Sequence, residues 1–352
     1  MKQYKKSNNA TNSRSRLARG LAVFSSIACI MGSSLATLAH ADGWNPNSRA
    51  SNRDSILNTR HNLTLSYNTD AGGAGNVMNL FRNNYFEVCV YCHTPHGANK
   101  LVNAPLWNRT INTSSYTIYD KPRTLNRPIG QPGPNSLTCL SCHDGTISID
   151  SIINMPGSGG YSASQETGNQ ASTKAFLDTW QGTGPQNSGG DQHFVMGKGP
   201  DVGKCTLCHN TDLSGTAMSD FTVFTIGTDL RDDHPIGIQF PTDFASGGVD
   251  FNEPTLDYVN PSGGGHMKVF DINGNGYPDK GEPRLYDSGD GPEVECASCH
   301  DPHGVPRNGE GSVFIPSFLR VSNGIQVPGV GGGASTFEGG RPSGLCLTCH
   351  MK

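Results

Sequence analysis

The sequence predicts a mostly irregular chain of loops and short helices with little strand, whose core comes from covalently attached groups more than from its own apolar residues. Three observations lead there. The pattern Cys-x-x-Cys-His occurs five times, at Cys89–His93, Cys139–His143, Cys205–His209, Cys296–His300 and Cys346–His350, and takes ten of the eleven cysteines. Glycine is abundant, 45 of 352 residues, and hydrophobic residues make up only 34%, too little for an ordinary core in a chain of this length. Runs with helical or alternating hydrophobic period are few.

Cys-x-x-Cys-His is the attachment signature of c-type haem. The thiol pairs Cys89/Cys92, Cys139/Cys142, Cys205/Cys208, Cys296/Cys299 and Cys346/Cys349 would add to porphyrin vinyl groups. The adjacent His93, His143, His209, His300 and His350 would become the proximal iron ligands. One isolated Cys-x-x-Cys suits zinc, a dithiol redox pair or an iron–sulfur cluster equally well. Five matches, each followed by histidine, argue against all three. The eleventh cysteine, Cys29, lies in a segment expected to be removed.

That segment is residues 1–41. Six basic and no acidic residues precede an apolar stretch from Leu21 to Leu38, and Ala39-His40-Ala41 has the A-x-A form of a secretory cleavage site. Export suits haem attachment outside the cytoplasm. No later stretch approaches the roughly 18 apolar residues of a membrane span. Against 26 basic and 30 acidic residues in all, loss of the six leaves a formal charge of −10 on residues 42–352. An acidic surface offers nothing attractive to nucleic acid; basic redox proteins and cationic minerals are the better partners.

Along residues 42–352, Asn76–Val88 has Val77, Leu80, Phe81, Asn84 and Val88 spaced for one helical face leading into the first motif. Ser172–Trp180 is a weaker helix. The Gly/Ser/Gln-rich run 157–191 reads as a surface insertion. First cysteines are separated by 50, 66, 91 and 50 residues, too irregular for a strict tandem repeat.

Electron-carrying haems are closed by two strong axial ligands, whereas catalytic haems keep one position open. Outside the motifs, residues 42–352 hold six histidines, His61, His96, His193, His234, His266 and His303, enough for a distal ligand on every iron with one to spare. His96 follows His93 by three residues, and His303 follows His300 by three. Residues so spaced project to one side, so they cannot grip opposite faces of one haem. Each belongs to a different haem, which forces two haems into close contact.

Cys-His-Thr-Pro-His-Gly (92–97), Cys-Leu-Ser-Cys-His-Asp-Gly-Thr (139–146), Asp-Asp-His-Pro-Ile (232–236), Cys-Ala-Ser-Cys-His-Asp-Pro-His (296–303) and Leu-Cys-Leu-Thr-Cys-His (345–350) resemble the multihaem c-type cytochromes with doubled Cys-x-x-Cys-His motifs. Within these the chain is most similar to the OmcE-like tetrahaem cytochromes that polymerise into extracellular filaments. The resemblance spans most of 55–155 and 225–350, and implies distal ligands His61, His96, His234 and His303. The chain departs from the tetrahaem pattern by an insertion at about 160–225 carrying the fifth motif, Cys205–His209. His193 shares that insertion and is expected to close the added haem, leaving His266 in reserve.

A second metal signature lies at 271–282, within a segment of about 262–292. Asp271, Asn273, Asn275, Tyr277, Asp279 and Glu282 fill positions 1, 3, 5, 7, 9 and 12 of the calcium loop, with Gly276 at the turn position and the Tyr277 carbonyl as a ligand. Pro278 and Pro283 point to a free-standing loop without flanking helices. The alternative is an ordinary Asp/Asn/Gly turn.

These readings predict one haem-organised domain over 42–352, binding five haem c groups and Ca2+. Its expected role is long-range extracellular electron transfer by subunits joined head to tail. A monomeric periplasmic shuttle is the alternative, and a multihaem reductase a third class, disfavoured because distal histidines suffice for every iron. Only Met351 and Lys352 follow the last motif, so earlier residues or another molecule are expected to cover that haem. His61, on a segment poor in apolar residues, is a candidate ligand to a haem of the next subunit.

Overall fold

The structure, a computed structural model, describes residues 55–64, 85, 87–121, 127–154, 194–197, 224–244, 250–260, 265–304, 318–321 and 343–351. The export segment 1–41 and the expected helix at Ser172–Trp180 lie outside these residues. So does the whole third haem motif, with its attachment cysteines Cys205 and Cys208 and its proximal ligand His209, together with the proposed distal ligand His193.

Helices are few and short among the described residues. The longest, α1 (Pro134–His143), opens on extended Gly133 with Pro134 at its first turn, where a missing N–H costs nothing. Two single-turn helices carry the later motifs, α2 (Cys296–Cys299) and α3 (Gly344–Cys349). The first motif starts on a 3-10 turn, Cys89–Tyr91. Of the helix expected over Asn76–Val88, the described Tyr85, Glu87 and Val88 are irregular. Tyr85 instead gives its backbone N–H to the Tyr91 hydroxyl and its own hydroxyl to Asp150 O.

The strand content exceeds the expectation in one region. β1 (Ile238–Gln239), β2 (Leu256–Val259), β3 (His266–Val269), β4 (Arg284–Asp287) and β5 (Pro292–Val294) form an antiparallel sheet in the order β1-β5-β4-β3-β2. Burial alternates along β3, with Met267 and Val269 facing inward. Its neighbour β2 alternates as well, half-buried at Leu256 and Tyr258, whereas β4 buries Arg284, Leu285 and Tyr286 in succession. Residues 271–282 connect β3 to β4, so strands flank the calcium-type loop.

Apolar side chains gather in several small clusters. Tyr85, Val90, Tyr91 and Ile152 pack together; Tyr116, Leu140 and Leu230 form another; Phe240, Phe270 and Leu285 a third. Polar anchoring supplements them. Arg109 is fully buried, and its five N–H donors reach Ser141 Oγ and the carbonyls of Ser141, Ser148, Ile149 and Ser151. That meets every donor a guanidinium has.

Two segments share one backbone construction. In the first, Asn108 N–H bonds Cys92 O at 2.8 Å and Thr94 N–H bonds Leu106 O at 2.8 Å; in the second, Arg320 N–H bonds Cys299 O at 2.8 Å and Asp301 N–H bonds Phe318 O at 2.9 Å. Antiparallel bridges pair His93 with Trp107 and His300 with Leu319. Leu106 (φ 53°) and Phe318 (φ 62°) are the two non-glycine residues with positive φ among the described residues. Such a conformation is costly for bulky side chains, so its recurrence at matching positions marks a repeated unit. Each unit is followed by another motif 50 residues on, Cys89 to Cys139 and Cys296 to Cys346.

Candidate functional site

The repeated units bring motif histidines face to face with histidines from elsewhere. His93 and His303 rings lie 6.0 Å apart between centres and 14° from parallel. His61 and His143 rings lie 6.1 Å apart at 66°. A metal–imidazole bond of about 2 Å on each side, plus the distance from nitrogen to ring centre, separates two axial imidazoles by about 6 Å. Both pairs therefore fit the two axial positions of a haem iron, with one member of each pair in a Cys-x-x-Cys-His motif. Burial, and after it the nearby His234, lowers the pKa of His350.

Ring orientation agrees with this. His61 Nδ1 meets Pro302 O at 3.0 Å, His93 Nδ1 meets Pro105 O at 2.8 Å, His143 Nδ1 meets Phe224 O at 2.7 Å and His234 Nδ1 meets Pro235 O at 3.0 Å. A carbonyl accepting from Nδ1–H fixes the tautomer that leaves the Nε2 lone pair for a metal. Burial favours the neutral, ligating form of three of them: His61 is pushed down to about 4 by desolvation and by His143, and desolvation also lowers His93 and His143.

His61 lies against its own chain, stacked on Phe318 at 4.4 Å and facing His143. Leu63 packs against the cluster of Tyr85, Val90, Tyr91 and Ile152, and local polar bonds shape the turn that carries His61. Thr59 is fully buried and its hydroxyl donates to Ile56 O, while Asn62 Nδ2 donates to Leu57 O and Asn62 Oδ1 accepts from Thr64 N.

The cysteines stand in a sequence across the molecule. Burial pushes the Cys92 thiol up to about 12, and Cys142 lies near enough to raise it further. The thiols of Cys139 and Cys296 are within hydrogen-bond reach of each other. Cys299 is raised to about 11 by burial, with Cys346 close by, and Cys349 lies close to Cys299 in turn. The four described motifs thus run in the order 89, 139, 296, 346. Eight of the ten expected attachment cysteines are present as free thiols among the described residues; the other two, Cys205 and Cys208, fall outside them.

The remaining ligand candidates differ. His96 is exposed, and its ring meets no other histidine among the described residues. His266, on β3, turns Nε2 to Asp257 and Nδ1 to within 3.9 Å of Asp287 Oδ2, while Lys268 Nζ reaches the other Asp257 oxygen at 2.6 Å. Its ring is thus engaged by carboxylates of the sheet.

The loop at 271–282 closes on its own oxygens. Asp271 Oδ1 accepts from Gly274 N at 2.7 Å and Oδ2 from Gly276 N at 2.9 Å. Asp279 Oδ2 accepts from the side chains of Asn273 and Asn275 at 2.7 and 2.8 Å. Buried Glu282 reaches back to Ile272 N and Asp279 N, both at 2.9 Å. Gly276 has the positive φ, 76°, that the sharp turn needs. Tyr277 is exposed, so only its carbonyl suits a ligand role. No three His, Cys, Asp or Glu side chains stand at metal-holding separation among the described residues; the loop's donor set mixes carboxylates with Asn oxygens and a carbonyl.

Among the described residues no helix is long and apolar enough to cross a membrane. In comparison with known proteins, no family model matches the chain and no curated protein matches it significantly.

Proposed function

We propose that the chain is an exported pentahaem c-type cytochrome for long-range extracellular electron transfer, an electron carrier and not an enzyme. The observation that carries this reading is the pairing of motif histidines with distant histidines at axial-ligand separation, His93 with His303 and His143 with His61. Bound haem supplies a reversible one-electron iron couple, and two imidazoles per iron close it to substrates. The chain's own residues hold the imidazoles neutral, aim Nε2 inward, and order the attachment cysteines into a row.

The reading extends to a head-to-tail polymer. Within the chain, His303 of the second repeated unit faces His93 of the first. The counterpart of His303 is His96, which is exposed. Continuing the same step outward brings His96 of a neighbouring copy to the His300 site of this one. An interface that repeats without closing generates a filament. In this arrangement His96, not His61, joins the subunits. For the insertion, Cys205 and Cys208 remain the proposed attachment thiols, His209 the proximal ligand and His193 the distal one. Calcium at Asp271, Asn273, Asn275, Tyr277 O, Asp279 and Glu282 would pin the β3–β4 connection.

The test is purification from a host that attaches haem. Expected are a mass increase of five haems over the processed polypeptide, a low-spin spectrum without high-spin iron, and filaments by electron microscopy at high protein concentration. A mass increase of only four haems would remove Cys205 and Cys208 from the attachment set. A high-spin signal or fast carbon monoxide binding that persists in assembled filaments would indicate an open iron and a catalytic site. Protein that stays monomeric at high concentration would leave the shuttle as the reading.

A further inference from the structure

The two repeated units carry different residues immediately after their motif histidines. In the first it is Thr94, whose hydroxyl donates to His96 O at 2.9 Å and leaves the ring alone. In the second it is Asp301, whose Oδ1 accepts from His303 N at 3.0 Å and stands 3.6 Å from His303 Nδ1. Its other oxygen, Oδ2, is 3.2 Å from Arg320 Nη1, and the two side chains are only 9% and 4% exposed. Arg320 is itself fixed, with Nε on Ala297 O and Nη1 on Lys280 O, both at 3.0 Å. The guanidinium therefore holds one carboxylate oxygen and turns the other toward the imidazole.

We propose that Asp301, clamped by Arg320, is a positioning residue that orients His303 and loads it with negative charge, so that the iron between His93 and His303 is held at a lower potential than the one between His61 and His143, whose Nδ1 atoms meet carbonyls. A carboxylate next to Nδ1–H makes the imidazole more basic at Nε2, and a more basic axial ligand favours ferric over ferrous iron. The Nδ1 atoms of His61, His93, His143 and His234 meet neutral carbonyls, so among these five axial candidates His303 is the one whose Nδ1 stands beside a carboxylate. This rests on the haem reading proposed above. Two adjacent sites of unequal potential give the electron path a preferred resting place at one unit.

The experiment is a spectroelectrochemical titration of the intact holoprotein, wild type beside Asp301→Asn, Asp301→Thr and Asp301→Glu. Haem content and spin state are measured first, because a wild type lacking low-spin haem would sink the haem reading itself and not this refinement. In Asp301→Asn and Asp301→Thr, one step of the titration should move to higher potential. The ferrous-to-ferric ratio at that step should rise by about tenfold at fixed potential, equivalent to 59 mV for one electron. Asp301→Glu should restore most of the shift. Thr is the residue the other unit already accepts at this position, so Asp301→Thr tests the idea if the amide packs badly. A titration that superimposes on wild type with all haems retained overturns the proposal, as does a high-spin iron in place of a shifted low-spin one.

Discussion

The unit around Cys89–Asn108 and the unit around Cys296–Arg320 are one backbone with two sets of side chains. Their bridges, hydrogen bonds and left-handed residues coincide. Even the brace on the Cys-x-x-Cys turn is matched: Asn108 Nδ2 donates to Val90 O, and Arg320 Nε donates to Ala297 O. The first unit braces with a neutral amide that also exchanges bonds with Asn154. The second braces with a cation that must in turn be balanced by Asp301. A shared scaffold thus fixes where the histidines stand, and the variable side chains decide the charge around each.

The largest expected effects separate the units by ligand. His303→Ala should open one iron, read as a high-spin signal and carbon monoxide binding, even in dilute monomer, because its partner His93 lies in the same chain. His96→Ala should leave the dilute monomer spectrum unchanged and abolish filaments. Filaments that survive His96→Ala would break the proposed equivalence of internal and intermolecular steps.

Next is the brace itself. Arg320→Gln leaves the Asp301 carboxylate buried without its cation, a change that typically costs about 3–5 kcal/mol. Asn108→Ala removes neutral hydrogen bonds, at about 1 kcal/mol each with a further penalty for stranded partners. Chemical denaturation should therefore rank Arg320→Gln below Asn108→Ala in stability. The reverse order would mean that the charged brace is no stronger than the neutral one.

Much of this is legible in the sequence, and the boundary is physical. The five motifs and the supply of histidines follow from covalent chemistry, which needs fixed residue types at fixed spacing. Asp271 through Glu282 are legible for the same reason. The position of His61 is not, because it is set by single contacts with residues far away in the chain, Pro302 O and the Phe318 ring, and by one apolar residue, Leu63, too few to form a hydrophobic pattern. The sheet escapes a sequence reading because alternation over four residues, as in β2 and β3, is too brief to stand out, and β1 and β5 are shorter still. The repeat does leave a trace in the two equal 50-residue intervals, but the other intervals obscure it. Arg109, Arg320 and Asp301 give no signal, since a buried charge looks like a surface charge until its partners are known.

Acid–base behaviour should differ around the second unit. Burial pushes the Asp301 carboxyl up, but its bonds to His303 and the Arg320 charge outweigh this and hold it at about 2, below its ordinary 3.8. A depressed carboxyl adds stability that is present above 3.8 and lost as pH falls toward 2. Glu295, buried beside Ser136, runs the other way: desolvation raises it from 4.5 to about 7. Its folded state binds the proton more tightly, so its contribution is full below 4.5 and lost as pH rises through 7. Glu295→Gln should flatten that upper slope, recovering up to about 3 kcal/mol at pH 8. Unfolding midpoints of wild type and variant that stay parallel from pH 5 to 8 would refute the assignment.

The smallest expected effect concerns the loop that only the second unit touches. Arg320 Nη1 donates to Lys280 O, inside the calcium-type loop, and Arg284 donates to Asp279 O and Glu282 O. The first unit's Asn108 meets Asn154 there instead. A cation at Asp271–Glu282 would stiffen the loop and, through Lys280, the guanidinium that clamps Asp301. Affinity of extracellular calcium modules is weak, about 10⁻⁴–10⁻³ M, so ordinary chelators should strip the site. Chelation should then speed proteolysis at 271–282 without releasing haem, because thioether bonds do not depend on the metal. It should also shift the titration step assigned to the His93–His303 pair slightly, while the pair formed by His61 and His143 keeps its potential. Asp271→Ala combined with Glu282→Ala should reproduce both effects in the presence of calcium. Unchanged protease sensitivity and calcium content in that double variant would reduce the loop to a turn between β3 and β4, and leave the Arg320 clamp to act alone.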